Sequence, residues 1–240
     1  MRMAFVTGGS QGLGLALCQQ LQGAGYRVVE FSRSAPHPFS VPLDLCDPEA
    51  ALRTVQQALQ TVDPASCTEL LLIHNAGSLA PIGPTWRQPP AALLAALNTN
   101  FSAALLVLSE LMRHFRDTPG RKRLVNISSG AALKGYAGWT LYCASKAGLE
   151  GFIRALAVEE QHHPQPFTPL SIDPGVIDTG MQALIRATPA RDFPEVERFK
   201  RRKLEGGLAA PEAVAAGILS LLASELTPGG RYEAPLLEPR

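Results

Sequence analysis

A tyrosine and a lysine four residues apart, with a serine upstream, are the residues of this sequence best suited to proton transfer. Tyr142 and Lys146 would share one face of a helix, one turn apart. An ammonium near a phenol favours the phenolate and lowers a pKa that is ordinarily about 10. A tyrosine so tuned can give a proton to a carbonyl oxygen or take one from an alcohol. The hydroxyl of Ser129 could hold the same oxygen.

The Tyr-x-x-x-Lys pair alone is a weak motif, because such residues often meet by chance on a solvated helix face. Its surroundings strengthen it. A strand predicted over 124–129 ends at Ser129, and a helix predicted over about 140–160 carries Tyr142 and Lys146. Ligands of open parallel sheets bind beyond the carboxyl ends of the strands. The sequence therefore predicts that the three side chains meet at that edge.

A glycine-rich turn lies between a short apolar run over 3–7 and a helical pattern that begins near residue 13. Strand, glycine-rich turn and helix form the context in which backbone N–H groups cradle a diphosphate. The spacing is Gly-x-x-x-Gly-x-Gly rather than the commoner Gly-x-Gly-x-x-Gly, and a turn that merely needs positive φ angles is the alternative. The predicted phosphate-binding residues are Gly8, Ser10, Gln11, Gly12, Leu13 and Gly14.

The end of the second strand, predicted over 26–31, bears on the choice of dinucleotide. An acid at this place binds the ribose of NAD, whereas a basic residue accepts the 2′-phosphate of NADP. Ser32 stands where the acid would be, and Arg33 offers a bidentate phosphate partner. The sequence thus predicts NADP(H), with Glu30, inside the strand, as the argument for NAD. Asp44 and Leu45, at the end of the next strand, are predicted to border the adenine.

Two further stretches have the features of a ligand site. Asn75, Ala76 and Gly77 follow a buried strand over 69–74 and are small and polar, which suits close approach by a ligand. His74 just before them is predicted to be structural. Residues 178–208 form a long excursion that is predicted to act as a lid, with Trp139 and Met181 near the mouth of an apolar pocket.

The segment 91–115 predicts a long helix that is apolar on more than one face. Such a helix is buried on two sides, which predicts a homo-oligomer, a dimer or a tetramer, in which a second subunit covers part of it. Asn98 and Asn100 are unfavourable helix formers. One of them is expected to interrupt the backbone hydrogen bonds of the helix.

Composition excludes several classes of function. The net charge is +1, so neither nucleic acid nor a membrane surface is an expected partner. The basic run over 198–203 has acids close by and is interpreted as a solvated helix face. No transmembrane helix, signal peptide or disulfide framework is expected, which predicts a cytoplasmic protein. His162 and His163 lack a third ligand at a suitable spacing, so no metal site is predicted.

Taken together, these motifs resemble the short-chain dehydrogenase/reductase family over nearly the full length. The resemblance rests on the stretches 7–14 and 75–77, on Ser129 with Tyr142 and Lys146, and on Pro174 with Gly175. It implies a doubly wound α/β (Rossmann) fold of three layers, with a mostly parallel seven-stranded sheet in one domain over 1–240. It further places the family's catalytic asparagine on Asn100 rather than Asn98, and cofactor contacts on Pro174, Gly175, Val176, Ile177 and Thr179.

A narrower resemblance is to sepiapterin reductases and the bacterial benzil reductases close to them. It is carried by the stretches 138–143, 156–160 and 174–182. In sepiapterin reductases an aspartate near the C-terminus anchors the pterin, and the matching place here holds the longer acid Glu233. A pterin is therefore one candidate substrate among other dicarbonyl compounds.

The function expected from these residues is NADPH-dependent reduction of a ketone, either an α-diketone or a side-chain ketone on an aromatic compound. Tyr142 would donate the proton, Lys146 would lower the pKa of Tyr142 and hold the nicotinamide ribose, and Ser129 would fix the carbonyl. Asn100 would hold a water that relays protons to Lys146. Two alternatives stay open: a reductase of acyl-thioester ketones, which the basic run would serve, and a non-catalytic NADP(H)-sensing protein.

Overall fold

Seven parallel strands form a single sheet in this computed structural model, which describes residues 1–236. The spatial order is β3-β2-β1-β4-β5-β6-β7, so the chain winds outward from β1 in two directions. The predicted doubly wound seven-stranded sheet is confirmed. The strands are β1 (Arg2–Thr7), β2 (Arg27–Ser32), β3 (Ser40–Pro42), β4 (Glu69–His74), β5 (Arg121–Ile127), β6 (Phe167–Asp173) and β7 (Arg231–Glu233).

Helices cover both faces of the sheet and complete the three layers. One apolar core contains Val55, Val107 and Ile153 from helices on one face, and a second core contains Leu17 and Ile218 from helices on the other. The helices are α1 (Gly12–Gly23), α2 (Pro48–Leu59), α3 (Pro90–Leu97), α4 (Ala103–His114), α5 (Thr140–Glu160), α6 (Gly180–Ala187), α7 (Val196–Leu204) and α8 (Pro211–Ala223). Because parallel strands are covered on both faces, their sequences are continuous apolar runs such as Leu70–Ile73.

A π-helical turn, Asn98–Ser102, joins α3 to α4. The N–H of Ala103 bonds to the carbonyl of Asn98, five residues back, so the regular i→i−4 pattern is broken where the sequence predicted an interruption. The buried side chain of Asn100 accepts a hydrogen bond from Ser78 N at 2.7 Å and donates one to Ser78 O at 2.8 Å. The π turn therefore ties this helix to the loop that follows β4.

The segment Pro90–His114 is long and apolar enough to cross a membrane by length and composition, contrary to the expectation that no such segment exists. The same test is passed by core helices of globular proteins. Here Val107, Leu108 and Leu111 lie in the core between the sheet and α2. The prediction that a second subunit covers other parts of this segment stays a prediction.

The excursion over 178–208 leaves and returns to the sheet at one point. Asp178 N donates to Ala209 O, and Ala209 N donates to Val176 O. Between these ends lie α6 and α7, and the basic run over 198–203 belongs to α7. Three of its side chains pair with acids, in the pairs Arg198–Glu195, Lys200–Glu197 and Lys203–Asp178.

The π turn yields a prediction about stability. We expect Asn100→Ala to lower the free energy of unfolding by about 2–4 kcal/mol, because it leaves both backbone groups of Ser78 without their partner. Asn98→Ala is the matched control, since Asn98 makes one exposed bond to Cys46 O and its loss should cost below about 1 kcal/mol. Urea denaturation of both variants measures the difference. Equal losses would contradict the assigned role of Asn100.

Candidate active site

A cleft of about 920 Å³ runs along the carboxyl ends of the strands. Its walls contain all but three of the residues that the sequence predicted to bind ligands. The exceptions are Asn100, which is buried beside the cleft, and Val176 and Glu233. The predicted residues in the wall are Gly8, Ser10, Gln11, Gly12, Leu13, Gly14, Ser32, Arg33, Asp44, Leu45, Asn75, Ala76, Gly77, Ser129, Trp139, Tyr142, Lys146, Pro174, Gly175, Ile177, Thr179 and Met181.

The glycine-rich turn packs so closely on itself that side chains would not fit. A Cβ at Gly14 would lie 2.1 Å from Gly8 O and 2.6 Å from Asn75 Nδ2. Asn75 Nδ2 donates to Gly8 O at 2.9 Å and so binds this turn to the loop after β4. The N-cap of α1, Gln11, makes no side-chain hydrogen bond, so the first N–H groups of the helix face the cleft without a side-chain cap. This arrangement fits a diphosphate at the helix N-terminus.

At the end of β2, Glu30 is not placed to bind a ribose. It is fully buried, accepts a hydrogen bond from Gly9 N at 2.9 Å and another from Ser32 Oγ at 3.1 Å, and is absent from the wall of the cleft. Arg33, in contrast, is exposed and lines the cleft. After the neighbouring strand β3, Asp44 Oδ1 accepts a hydrogen bond from Cys46 N at 2.9 Å. Of Glu30 and Arg33, it is therefore Arg33, just after β2, that a ligand in the cleft would meet.

Ser129, Tyr142 and Lys146 converge at the centre of the cleft, as their spacing predicted. Ser129 follows β5, and its hydroxyl accepts a hydrogen bond from Ala131 N at 3.1 Å, which fixes its rotamer. Tyr142 and Lys146 project from one face of α5. The Lys146 ammonium donates to Ile127 O at 2.6 Å and lies 5.7 Å from the centroid of the Tyr142 ring.

The sequence predicted that Lys146 would lower the pKa of Tyr142, but in the protein without ligands the net shift of this pKa is upward. Burial raises the pKa of Tyr142 to about 12, and the carboxylate of Asp173 adds to the increase. The nearby Ser129 hydroxyl acts in the opposite direction, but the desolvation of the phenolate dominates. The proton is therefore held firmly on Tyr142, which is the form that can protonate a carbonyl oxygen.

Burial and neighbouring charges also compete in setting the pKa of Lys146, but here burial lowers the pKa because it disfavours the charged ammonium. Burial lowers its pKa from 10.5 to about 8, while the charges of Asp173 and Glu150 raise it. Lys146 remains predominantly charged near neutral pH as a result. Its positive charge depends on carboxylates that the sequence analysis assigned to no role.

Asn100 and Lys146 approach one small space beside Gly77. A Cβ at Gly77 would lie 3.6 Å from Asn100 Oδ1 and 3.9 Å from Lys146 Nζ. The side-chain amide of Asn100 already makes two hydrogen bonds to the backbone of Ser78, one accepted by Oδ1 and one donated by Nδ2. A water held by Asn100, as the sequence predicted, could still use the second lone pair of Oδ1 or the second N–H of Nδ2.

His74 is part of the framework under the site. Thr7 Oγ1 accepts hydrogen bonds from Asn75 N and Ala76 N, both at 3.2 Å, so its own proton points to His74 Nδ1 at 3.0 Å. This arrangement assigns the imidazole proton to Nε2. Burial lowers the pKa of His74 to about 3, with a smaller contribution from the charge of Lys146, so the ring is neutral.

The far end of the cleft is an aromatic cluster. Trp139 stacks on Phe193 with ring centroids 4.5 Å apart and planes at 2°, and Phe199 meets Trp139 at 5.5 Å. Trp139 also contacts Tyr142 edge-on at 6.2 Å. Gly138 permits this packing, because a Cβ there would lie 2.2 Å from Asp192 O and its φ is +85°. The partly buried Met181 packs on the same cluster.

Two predicted ligand contacts lie outside this cleft. Val176 and Glu233 line a second cavity together with Arg202 and Leu236. Val176 lies outside the cleft because the chain turns after Pro174 and the carbonyl of Val176 accepts a hydrogen bond from Ala209 N. Glu233 ends β7, and the residue of that strand that reaches toward the site is Arg231, which contacts Glu150 and Asp173. The structure therefore does not support Glu233 as a substrate anchor.

Other residues of the wall were missed by the sequence analysis. Some follow a predicted residue directly in the chain, as Ser34, Ser78 and Gln182 do, and extending each motif by one residue would have included them. Others arrive from distant elements, and their presence depends on tertiary packing. These additional wall residues are Phe31, Ser34, Pro36, Leu43, Cys46, Ser78, Leu79, Thr99, Ile127, Ser128, Gly180, Gln182 and Ile185.

The sequence matches known proteins along its whole length. The family model described as short chain dehydrogenase matches residues 2–190. A benzil reductase ((S)-benzoin forming) of Bacillus subtilis is 34% identical over 238 residues, covering 97% of this chain and 98% of its own. A sepiapterin reductase of Bos taurus is 31% identical over 254 residues, covering 96% and 92%. A solved short chain dehydrogenase from Shigella flexneri complexed with NADP superposes with a TM-score of 0.75 at 25% identity, covering 97% and 96%.

The chain belongs to the short-chain dehydrogenase/reductase family, as its glycine-rich turn and its Ser129–Tyr142–Lys146 site indicated. It is an oxidoreductase of that type, and it is similar to benzil and sepiapterin reductases. Membership of this family implies a nicotinamide cofactor, for which the glycine cradle and the uncapped N-terminus of α1 provide a fitting site.

The burial of Lys146 predicts a pH-dependent stability. Unfolding returns its pKa from about 8 to 10.5, so the unfolded chain binds more protons between these values and stability rises with pH there. Relative to Lys146→Met, the free energy of unfolding of the wild type should increase by about 2 kcal/mol from about pH 7 to about pH 9.5.

Chemical denaturation across this pH range measures the difference. Lys134→Met, the same exchange at an exposed lysine, controls for the loss of a lysine as such. A difference between wild type and Lys146→Met that is independent of pH would show that the ammonium is not desolvated.

Proposed function

We propose that the protein is an NADPH-dependent carbonyl reductase acting on a ketone, an α-diketone or an aromatic side-chain ketone such as benzil or sepiapterin. The observation that carries this proposal is the convergence of the Ser129 hydroxyl and the protonated Tyr142 phenol next to an aromatic pocket. Both groups can donate a hydrogen bond to one carbonyl oxygen, and Trp139 with Leu79 and Ile185 supplies apolar walls. The relatives named benzil reductase and sepiapterin reductase support this substrate class.

The roles of the side chains follow from their geometry. Ser129 orients the carbonyl, because its rotamer is fixed by Ala131 N. Tyr142 gives its proton to the carbonyl oxygen, and the adjacent Lys146 ammonium stabilises the phenolate that remains. Lys146 also lies close enough to the cleft to hold the nicotinamide ribose. The bound cofactor supplies the hydride. The segment over 178–208 acts as a lid that excludes water through the stacking of Phe193 on Trp139.

For the cofactor, the proposal is NADP(H) rather than NAD(H). Both carboxylate oxygens of Glu30 accept hydrogen bonds inside the protein, from Gly9 N and Ser32 Oγ. Arg33, in contrast, lines the cleft with its guanidinium available to a ligand. A guanidinium can bind a 2′-phosphate through two parallel hydrogen bonds. The NADP complex of the structural relative supports the same choice.

Arg33→Ala should weaken NADPH by about 10–100-fold while changing the affinity for NADH little, since charged hydrogen bonds contribute about 1.5–3 kcal/mol. Arg27→Ala, at the exposed opposite end of β2, is the matched control and should change neither affinity. Fluorescence titration with both cofactors measures the effect. Equal use of NADH and NADPH by the wild type would contradict the proposed preference.

The two alternatives lack support in the described residues. A carrier-bound acyl thioester calls for basic groups at the mouth of the site, but Arg198, Lys200 and Lys203 are paired with acids along α7. A sensor without catalysis would usually lack a member of the catalytic set. Here Ser129, Tyr142 and Lys146 converge, and Asn100 is built into the π turn beside them.

The first test is NADPH oxidation followed by absorbance with benzil and sepiapterin as parallel substrates. We expect turnover of benzil, and turnover of sepiapterin as well only if groups other than Glu233 anchor the pterin. Tyr142→Phe should reduce turnover by at least about a thousandfold and leave NADPH affinity within about threefold, because it removes one proton donor and keeps the ring. Retained turnover in this variant would disprove the role of Tyr142. Tight NADPH binding without reduction of any dicarbonyl would favour the sensor.

A further inference from the structure

A third ionisable residue continues the line of Tyr142 and Lys146 along α5. Glu150 lies one more turn along the helix, at the same spacing of four residues, and is only 3% exposed. A carboxylate that is removed from water must be compensated by hydrogen bonds or charges. The residues that compensate Glu150 connect the active site to the last strand of the sheet.

Glu150 is held by side chains from two strand ends. Its Oε1 accepts hydrogen bonds from Ser128 Oγ, just after β5, and from Arg231 Nε on β7 at 3.0 Å. The same guanidinium donates from Nη2 to Asp173 Oδ2 on β6 at 2.7 Å. Arg231 therefore bridges two carboxylates, Glu150 and Asp173, and each of them acts on the charge of Lys146.

The charged and titratable groups around Lys146 come from four elements. Glu150 and Tyr142 lie on its own helix, Asp173 ends β6, the neutral His74 ends β4, and Arg231 reaches in from β7. The strand β5 contributes the carbonyl of Ile127. On α5 itself the exposed Arg154 also lies near Glu150, with its Nη1 3.9 Å from Oε2. Two carboxylates, the Arg231 that bridges them and the more distant Arg154 thus set the charge around the ammonium, in addition to the neutral Tyr142 and His74.

We propose that Glu150, clamped by Ser128 and Arg231, is a positioning residue that keeps the side chain of Lys146 charged during the proposed reaction. This inference rests on the proposed function for its catalytic meaning, but the electrostatic coupling is a property of the chain itself. Arg231 has the counteracting role. By neutralising part of the charge of Glu150 and Asp173, it limits how strongly they hold the proton on Lys146.

The proposal is tested first without cofactor or substrate. The Cε resonance of Lys146 in ¹³C-labelled protein, assigned through its absence in Lys146→Met, is titrated by NMR. Glu150→Gln preserves shape and hydrogen bonding but removes the charge, so the midpoint should fall by about one pH unit. Glu150→Asp keeps the charge and should shift it by less than half as much.

Two further variants separate electrostatic coupling from general damage to the fold. Arg231→Gln removes the cation that the two carboxylates share and leaves Glu150 only the exposed Arg154, at 3.9 Å, so the midpoint should move upward. Glu160→Gln is the matched control, because Glu160 is also a buried glutamate of α5 and is paired to Arg116 at the far end of the helix. It should lower stability and leave the midpoint of Lys146 unchanged.

Kinetics then link the coupling to the reaction. In Glu150→Gln the basic limb of the pH profile for ketone reduction should move to lower pH by the same interval as the NMR midpoint. If the wild type reduces no dicarbonyl, the proposed function fails, whereas the NMR titration still decides the coupling. Coincident midpoints in wild type and Glu150→Gln, or an equal shift in Glu160→Gln, would overturn the proposal.

Discussion

The burial of the Lys146 ammonium is the constraint on which the site depends. A charge removed from water requires compensation, and here it comes from the carbonyl of Ile127 and from the carboxylates of Glu150 and Asp173. Each of these groups stands at or near the carboxyl end of a strand or on the face of α5 that covers it. The parallel sheet is thus what brings opposite charge to the lysine, and the same burial keeps the proton on Tyr142.

Beneath these charges the sheet carries polar side chains where its strands end. Thr7, His74 and Asn126 are neighbours in register on β1, β4 and β5, and all three are buried. His74 Nε2, to which the proton is assigned, and Asn126 Oδ1 lie on adjacent strands, and neither atom has a hydrogen-bond partner among residues 1–236. This layer explains how a histidine can be accommodated among these strand ends as the sequence predicted, in a structural role. The neutral ring gives Thr7 an acceptor without placing a second positive charge beside Lys146.

The sequence predicted those features that depend on local pattern. The structure confirms the buried strand Glu69–His74, the helix Thr140–Glu160 and the glycine-rich turn. These features could be predicted because apolar periodicity and glycine spacing are properties of a single element. The features that failed depend on packing between elements. The three consecutive basic residues over 121–123 suggest a solvated turn, but Lys122 is buried in β5 and donates to Phe115 O. The pKa of Tyr142 was misjudged for the same reason, since desolvation by distant residues cannot be inferred from a spacing of four. Glu150 was overlooked because its partners Ser128 and Arg231 are far from it in the chain.

The substrate end of the cleft is built from side chains outside the sheet, unlike the catalytic centre, which is built at the ends of the strands. Its wall contains Trp139, next to α5, and this ring is supported from behind by Phe193 and Phe199 of the excursion over 178–208. None of these three rings belongs to the sheet, and the two ends of the excursion are joined to each other by the bonds of Ala209 to Val176 and Asp178. Substitutions in this cluster can therefore reshape the pocket without disturbing the charges around Lys146. The chemistry is fixed by the ends of the strands, whereas the choice of ketone depends on side chains that pack against one another outside the sheet.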